Sequence, residues 1–201
     1  MKTNRDEILQ NCFSVFVSKN YERATITELS RACGLSRMGI HHYFPNKQAV
    51  FMAVADRYVF EAQAPGNKFT PGDGTLAGVI ERYTDGVRQT MAQLLSLCKE
   101  GGGNVALNIH YLNFIMQVRQ YYPGAERKFR TLMQLTQTYW QQAVEQAVRS
   151  GELRPGLDPC SVAGLFHQIH FGLSFEQAFL NGLDLEHLSR QFRCLYGLIR
   201  A

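Results

Sequence analysis

The chain has 201 residues, 45% hydrophobic and 19% charged, with 21 Lys and Arg against 17 Asp and Glu and a net charge of +4. That composition fits an ordinary soluble globular protein with a small head and one larger domain, and it excludes disordered and collagen-like chains. Five scattered cysteines without a Cys-x-x-Cys argue against a disulfide framework or zinc knuckle and for a reducing cytoplasm, while the polar, helix-like residues 1–20 give no expectation of a secretory signal.

A first helix is expected from about Asn4 to Ser18, burying Ile8, Leu9, Cys12, Phe13 and Phe16. The stretch Arg23 to Phe51, RATITELSRACGLSRMGIHHYFPNKQAVF, is the most informative of the chain. Thr25-x-x-Glu28 is a capping box. Ile26, Leu29 and Cys33 then share one helical face, and Gly34 supplies the left-handed residue that ends the helix. Ser36 caps a further helix whose first turn carries Arg37, Met38 and Gly39. Helix, glycine turn and capped helix with a basic first turn form the layout of a helix-turn-helix, whose second helix enters the DNA major groove. Four basic residues stand against Glu28 alone in this window, a local excess of +3 on about a seventh of the chain. A basic patch so confined is the electrostatic footprint of phosphate contact.

Ile40 to Lys47 follows as IHHYFPNK. Together with ITELSRACGLSRMGI, it makes residues 5–52 closely resemble the DNA-binding domain of TetR-family transcriptional regulators. The resemblance implies a three-helix head, residues 1–46, and a larger all-helical ligand-binding and dimerisation domain, residues 47–201. It also implies a repressor that leaves its operator when a small molecule binds. Carried over by position, Thr25 caps its helix and touches a phosphate, Thr27 lies near the groove edge, and Ser36 caps the recognition helix. Arg37, Met38, Gly39 and His41 face base edges, and His42, Tyr43 and Lys47 contact or steer phosphates. Two positions depart from the family: His41 stands where tyrosine is usual, and Met38 where a small residue is common. A histidine donor and a methionine that reaches a thymine methyl point to a different operator.

A fourth helix is expected from Asn46 to about Gln63, then the Pro/Gly-rich linker AQAPGNKFTPGDG. The fifth carries the stripe Leu76, Val79, Ile80, Tyr83, Val87, Met91, Leu94 and Leu95 and ends in CKEGGGN, which lacks the Gly-Lys-Ser/Thr of a phosphate loop. A sixth runs from about Val105 to Arg119 and a seventh from Ala125 to Ser150, closed by Gly151. Asp158 and Pro159 start an eighth that ends near Gly182, and Asp184 caps a ninth. The class is all-α, with about nine helices and no strand pattern.

Residues 159–175 contain no Asp, Glu, Lys or Arg, too short a run for a membrane span and so apolar that both faces of the helix need cover. Leu188, Phe192, Leu195 and Ile199 repeat at 3.5-residue spacing. Both helices favour a homodimer through a four-helix bundle, with Val162, Phe166, Ile169, Leu173, Leu188, Phe192, Leu195 and Ile199 as its candidate interface. Two-fold symmetry then implies a palindromic operator. Candidate ligand-binding side chains are Tyr83, Val87, Met91, His110, Tyr111, Phe114, Met133, Trp140, Phe166 and His170, which suit an apolar or aromatic molecule. Two other readings compete. One is a dimeric interaction protein that no longer binds DNA. The other is a metal-dependent enzyme using His167 and His170, which lacks the third ligand and general base such sites need. No metal or cofactor is expected.

Overall fold

A computed structural model describes residues 4–97 and 103–201, with side chains from residue 109 onward in the second stretch. Among the described residues the chain is all-α: α1 (Arg5–Arg23), α2 (Ile26–Ala32), α3 (Arg37–Tyr43), α4 (Lys47–Ala55), α5 (Leu76–Leu97), α6 (Gly103–Tyr121), α7 (Ala125–Arg149), α8 (Pro159–Ala178) and α9 (Leu185–Ile199). The glycine loop at 98–102 and Cys98 lie outside the described residues.

Local sequence sets the helix ends. Asn4, Thr25, Ser36, Asn46, Asp158 and Asp184 each accept a backbone N–H in the first turn that follows, and Glu28 completes the capping box with Thr25. Gly34 ends α2 at φ +64°, a conformation that costs any residue with a Cβ. The fourth helix departs from expectation: after Ala55 it widens into a π turn, Asp56–Glu61. The wider turn presents the Tyr58 carbonyl to the Tyr111 hydroxyl at 2.7 Å and sets Asp56 against the Tyr122 hydroxyl at 2.9 Å.

The chain forms two compact units, residues 1–63 with 93–129 and residues 64–92 with 130–201. In the first, Ile8, Leu9, Cys12, Phe13 and Phe16 of α1 are buried as expected, packed with Leu29, Ile40, Val50, Phe51 and, from α6, Phe114 and Val118. Rings join edge to face: Phe13 and Phe51 both meet Phe114, at 5.5 and 5.6 Å. The Cys12 and Cys33 thiols lie 3.7 Å apart in this core. In the second unit Trp140 stacks on Phe166 at 4.8 Å, and Tyr83 and Phe192 pack around the pair.

The regular turn of α1 breaks at Asn20, which takes φ +70°. With ψ 162° it lies outside the left-handed helical well, in a region otherwise almost confined to glycine, and α6 holds it there. The Asn20 side-chain oxygen accepts from Asn113 Nδ2 at 3.0 Å and Gln117 Nε2 at 3.1 Å, and Gln117 Oε1 accepts the Tyr21 N–H at 2.5 Å. Gln117 is buried, so Gln117→Ala leaves the Tyr21 N–H unmet and the Asn20 side-chain oxygen with Asn113 alone. We expect a loss of about 1–3 kcal/mol in urea denaturation, with faster hydrogen exchange at the Tyr21 amide.

Candidate nucleic-acid interface and ligand cleft

Recognition by α3 requires side chains held in place yet open to solvent. Ile40 is the one buried residue of α3 and anchors it to the core, while Ser36 Oγ accepts the Gly39 N–H at 3.0 Å and fixes its start. Arg37, Met38, His41, His42 and Tyr43 are exposed and Gly39 is half-buried; Met38, 78% exposed, stands well clear of the surface. The His42 ring meets Tyr43 edge to face at 5.5 Å.

On α2, Thr27 is exposed, and Thr25 is committed to its cap, accepting the Glu28 N–H at 3.2 Å and donating to Glu28 Oε2 at 3.0 Å. The hydrogen bond from Lys19, followed by those from Thr25, lowers the Glu28 carboxyl to about 2. Lys47 has a structural place that sequence spacing does not reveal. Its ammonium donates to the carbonyls of Tyr21 at 2.9 Å, Ala24 at 3.1 Å and Glu22 at 3.4 Å, and sits 4.4 Å from the Tyr21 ring centre. These carbonyls have lost helical partners at the break in α1, and a cation is the natural group to meet them.

The side chains read as ligand contacts divide between the units. In the first, His110 is exposed, Tyr111 accepts a hydrogen bond from Gln63 Nε2 at 3.2 Å, and Phe114 is core. In the second, Tyr83, Val87, Trp140 and Phe166 are buried together, Met91 is half-buried and Met133 is 42% exposed. The Tyr83 hydroxyl meets His170 Nδ1 at 2.7 Å. Burial, followed by the positive charges of Lys68 and His167, lowers the His170 imidazole to about 3, so it is neutral at ordinary pH. Among the described residues no cluster of three His, Cys, Asp or Glu could hold a metal, and His167 packs against Phe171 at 4.9 Å.

The second unit has an open cleft of ≈ 310 Å³ whose walls come from the linker, α5 and α7. Lys68, Phe69, Arg82 and Tyr139 supply its larger side chains. None of the ten expected ligand residues lines it; Tyr83 and Trp140 sit directly behind Phe69, at ring distances of 5.0 and 5.1 Å. Lys68 and Phe69 fall in the linker, which the sequence marks only as a boundary, and Arg82 falls outside the apolar stripe of α5, so sequence reading misses all three. A Lys-Phe pair inside a Pro/Gly-rich segment was the available signal.

The candidate dimer stripe lies largely within the second unit. Val162, Phe166, Leu188, Phe192 and Ile199 are buried in the second unit's own core, and Ile169, Leu173 and Leu195 are half-buried against it. The apolar surface lies elsewhere on the same helices, at Leu165, Phe171, Phe175, Phe179 and Leu198, which are 47–65% exposed. On a helix apolar nearly all round, hydropathy alone does not say which side faces inward.

Residues 8–54 match the family described as bacterial regulatory proteins, tetR family. The transcriptional repressor AcnR of Corynebacterium efficiens is 40% identical over 52 residues, 26% of this chain and 28% of its own. AcnR of Corynebacterium glutamicum matches over the same shares. The chain thus spans little more than a quarter of the length of the curated relatives it matches. Among solved structures, the complex of SmeT with triclosan has a TM-score of 0.69 at 16% identity, over 98% of this chain and 91% of that one. PfmR of Thermus thermophilus has a TM-score of 0.65 at 15% identity, over 96% and 97%. At these identities the likeness is one of fold.

Lys47→Met tests the structural place of that lysine. It strips the broken end of α1 of its cation and lowers stability by about 1–2 kcal/mol in urea denaturation. An unchanged midpoint assigns the side chain to DNA alone.

Proposed function

We propose that the chain is a ligand-responsive, DNA-binding transcriptional repressor, a reading supported by the match of residues 8–54 to the tetR family of bacterial regulatory proteins. The observation that carries this reading is α3: one buried anchor, Ile40, and a row of exposed Arg37, Met38, His41, His42 and Tyr43. In this reading the head, residues 1–46, reads DNA, and residues 47–201 bind the effector and a second copy of the chain. Arg37 and His41 contact base edges, Met38 meets a thymine methyl, and Thr25, Thr27, His42 and Tyr43 lie toward phosphates. Lys47 serves the interface by fixing the backbone that leads into α2.

The effector is a small apolar or aromatic molecule; SmeT bound to triclosan is a precedent for a small molecule on this fold. Release from DNA requires coupling between effector and head. Helices α5 and α7 each contribute residues to both compact units, which gives the coupling a continuous covalent route. Because phosphate contacts dominate affinity, lost register costs contacts on both half-sites together. A regulator of this kind works in the cytoplasm, and among the described residues no helix is long and apolar enough to cross a membrane.

Fluorescence anisotropy on DNA from upstream of the chain's own gene, against unrelated duplex and at two salt concentrations, tests the reading. Selective binding that weakens steeply with salt is expected, and Arg37→Ala should weaken the preferred site by about 1–3 kcal/mol with little effect on unrelated DNA. Absence of binding at low salt would sink it. For the dimer, a second copy covers Phe171 and Phe175 of α8 and Phe179 at its C-cap, spaced by four. Phe175→Glu should shift the mass in light scattering from twice 22.8 kDa to 22.8 kDa.

A further inference from the structure

We propose that Cys12 and Cys33 form an oxidisable dithiol inside the head: hydrogen peroxide joins them as a disulfide, which displaces the recognition helix and loosens the head from DNA. The device rests on the DNA-binding role given above and adds to it an oxidant as a second signal.

Proximity is the first support. The two cysteines are 21 positions apart in sequence, yet their sulfurs lie 3.7 Å from each other, and both are free thiols. Cys12 stands between Ile8 and Phe16 on the buried face of α1, and Cys33 is the C-cap of α2, one turn after Leu29. A disulfide draws its sulfurs to about 2.05 Å. A core packed to the density of an organic crystal passes part of such an approach to the backbone.

Burial and hydrogen bonding give the two thiols different parts. Cys12 is sealed at 0% exposure, whereas Cys33 is 7% exposed at the edge of the core, so a small oxidant meets Cys33 first. The Cys33 thiol has the Ile8 carbonyl as an acceptor at 3.7 Å, which leaves the Cys12 S–H to donate to the Cys33 sulfur. That bond holds Cys33 below the ordinary thiol value, against burial and the charge of Glu7, and together with burial it pushes Cys12 up. A solitary buried cysteine is inert; a thiolate with a second thiol in contact is not.

The chemistry closes with peroxide alone. The Cys33 thiolate attacks one peroxide oxygen, the O–O bond breaks, and the departing hydroxide takes up the proton that Cys33 lost, giving one water and a sulfenic acid. The Cys12 sulfur then attacks the Cys33 sulfur, the S–O bond breaks, and the Cys12 proton leaves with the hydroxyl as a second water. The two sulfurs give up two electrons, and the peroxide receives them. In a reducing cytoplasm the pair stays as thiols until oxidant appears.

The place of Cys33 in the fold links the bond to DNA. Gly34 follows at φ +64°, the Leu35 N–H donates to the Ser30 carbonyl at 2.8 Å, and Ser36 caps α3. The first turn of α3 rests directly on this corner: a Cβ on Gly39 would fall 3.3 Å from Leu35 Cβ. A pull on Cys33 toward α1 therefore carries the corner and the first turn of α3 with it, where Arg37 and Met38 stand. Hydrogen bonds to base edges hold over a narrow range of distance and angle, so this displacement loosens them.

The test uses the full chain with C98S, C160S and C194S, so that only the pair can react. After hydrogen peroxide, iodoacetamide and trypsin, mass spectrometry should find residues 6–19, which carry Cys12, joined to residues 32–37, which carry Cys33. Dithiothreitol should separate them. In anisotropy on operator DNA the oxidised protein should bind about tenfold or more weakly, with recovery in dithiothreitol. Cys12→Ala and Cys33→Ala should bind like the reduced protein and ignore peroxide; should either misfold by circular dichroism, the reversible loss with the intact pair still decides. Absence of the joined peptides overturns the proposal, as does a joined pair with undiminished affinity, or an equal loss in both alanine variants. Hydrogen exchange at the Gly34 and Leu35 amides reads the displacement without DNA. A reduced protein that ignores all DNA, yet forms the bridge and changes exchange there, defeats the repressor reading and leaves the dithiol device within the head; selective DNA binding without a bridge does the reverse.

Discussion

The head depends on how its first helix stops. At Asn20 the backbone turns left-handed, and the break orphans carbonyls and amides that a continuous helix would have paired internally. Three side chains from distant points in the sequence hold the break. Gln117 of α6 accepts the Tyr21 amide, Lys47 of the first turn of α4 donates to the Tyr21 and Ala24 carbonyls, and Asn113 of α6 holds the Asn20 side chain. Burying these groups without partners would cost more than the bonds gain, so the break, α4 and α6 are mutually required. The consequence is a fixed entry angle for Thr25 and α2, and through the tight turn at Gly34 a fixed attitude for α3.

Much of this head was legible in the sequence because its signals are local. Caps at Thr25, Ser36 and Asn46, the left-handed glycine and the apolar face of α1 each depend on residues no more than a few positions apart, and all appear as read. The long-range partners were not legible. Nothing in the neighbourhood of Lys47 says that its ammonium reaches back to Tyr21 and Ala24, and nothing around Gln117 announces Asn20. The π turn was equally silent, since Asp56–Glu61 has the composition of an ordinary helix. Its cause lies in the partners it serves, Tyr111, Tyr122 and Lys128.

The second unit shows the opposite balance. Its helices and caps followed from sequence, yet the role of individual side chains did not, because aromatic residues suit core, pocket and interface alike. Trp140, Phe166 and Phe192 turn out to be core, while Phe171, Phe175 and Phe179 look outward. The linker is the sharper lesson. Proline and glycine mark it as a boundary, whereas Gly72 within it admits the Arg82 guanidinium, Gly86 of α5 lets it lie against that helix, and its Lys68 and Phe69 shape a cleft.

The division of labour within α3 bears on how such a protein changes over evolutionary time. Ile40 and the Ser36 cap hold the helix, and the side chains that face outward take almost no part in the core. Mutations at positions 37, 38, 41 and 42 therefore carry little stability penalty, since they sit apart from the packed interior. A duplicated copy could drift to new target sequences along a nearly flat fitness path, one exposed side chain at a time. Histidine at 41 and methionine at 38 are steps of the kind such a path permits.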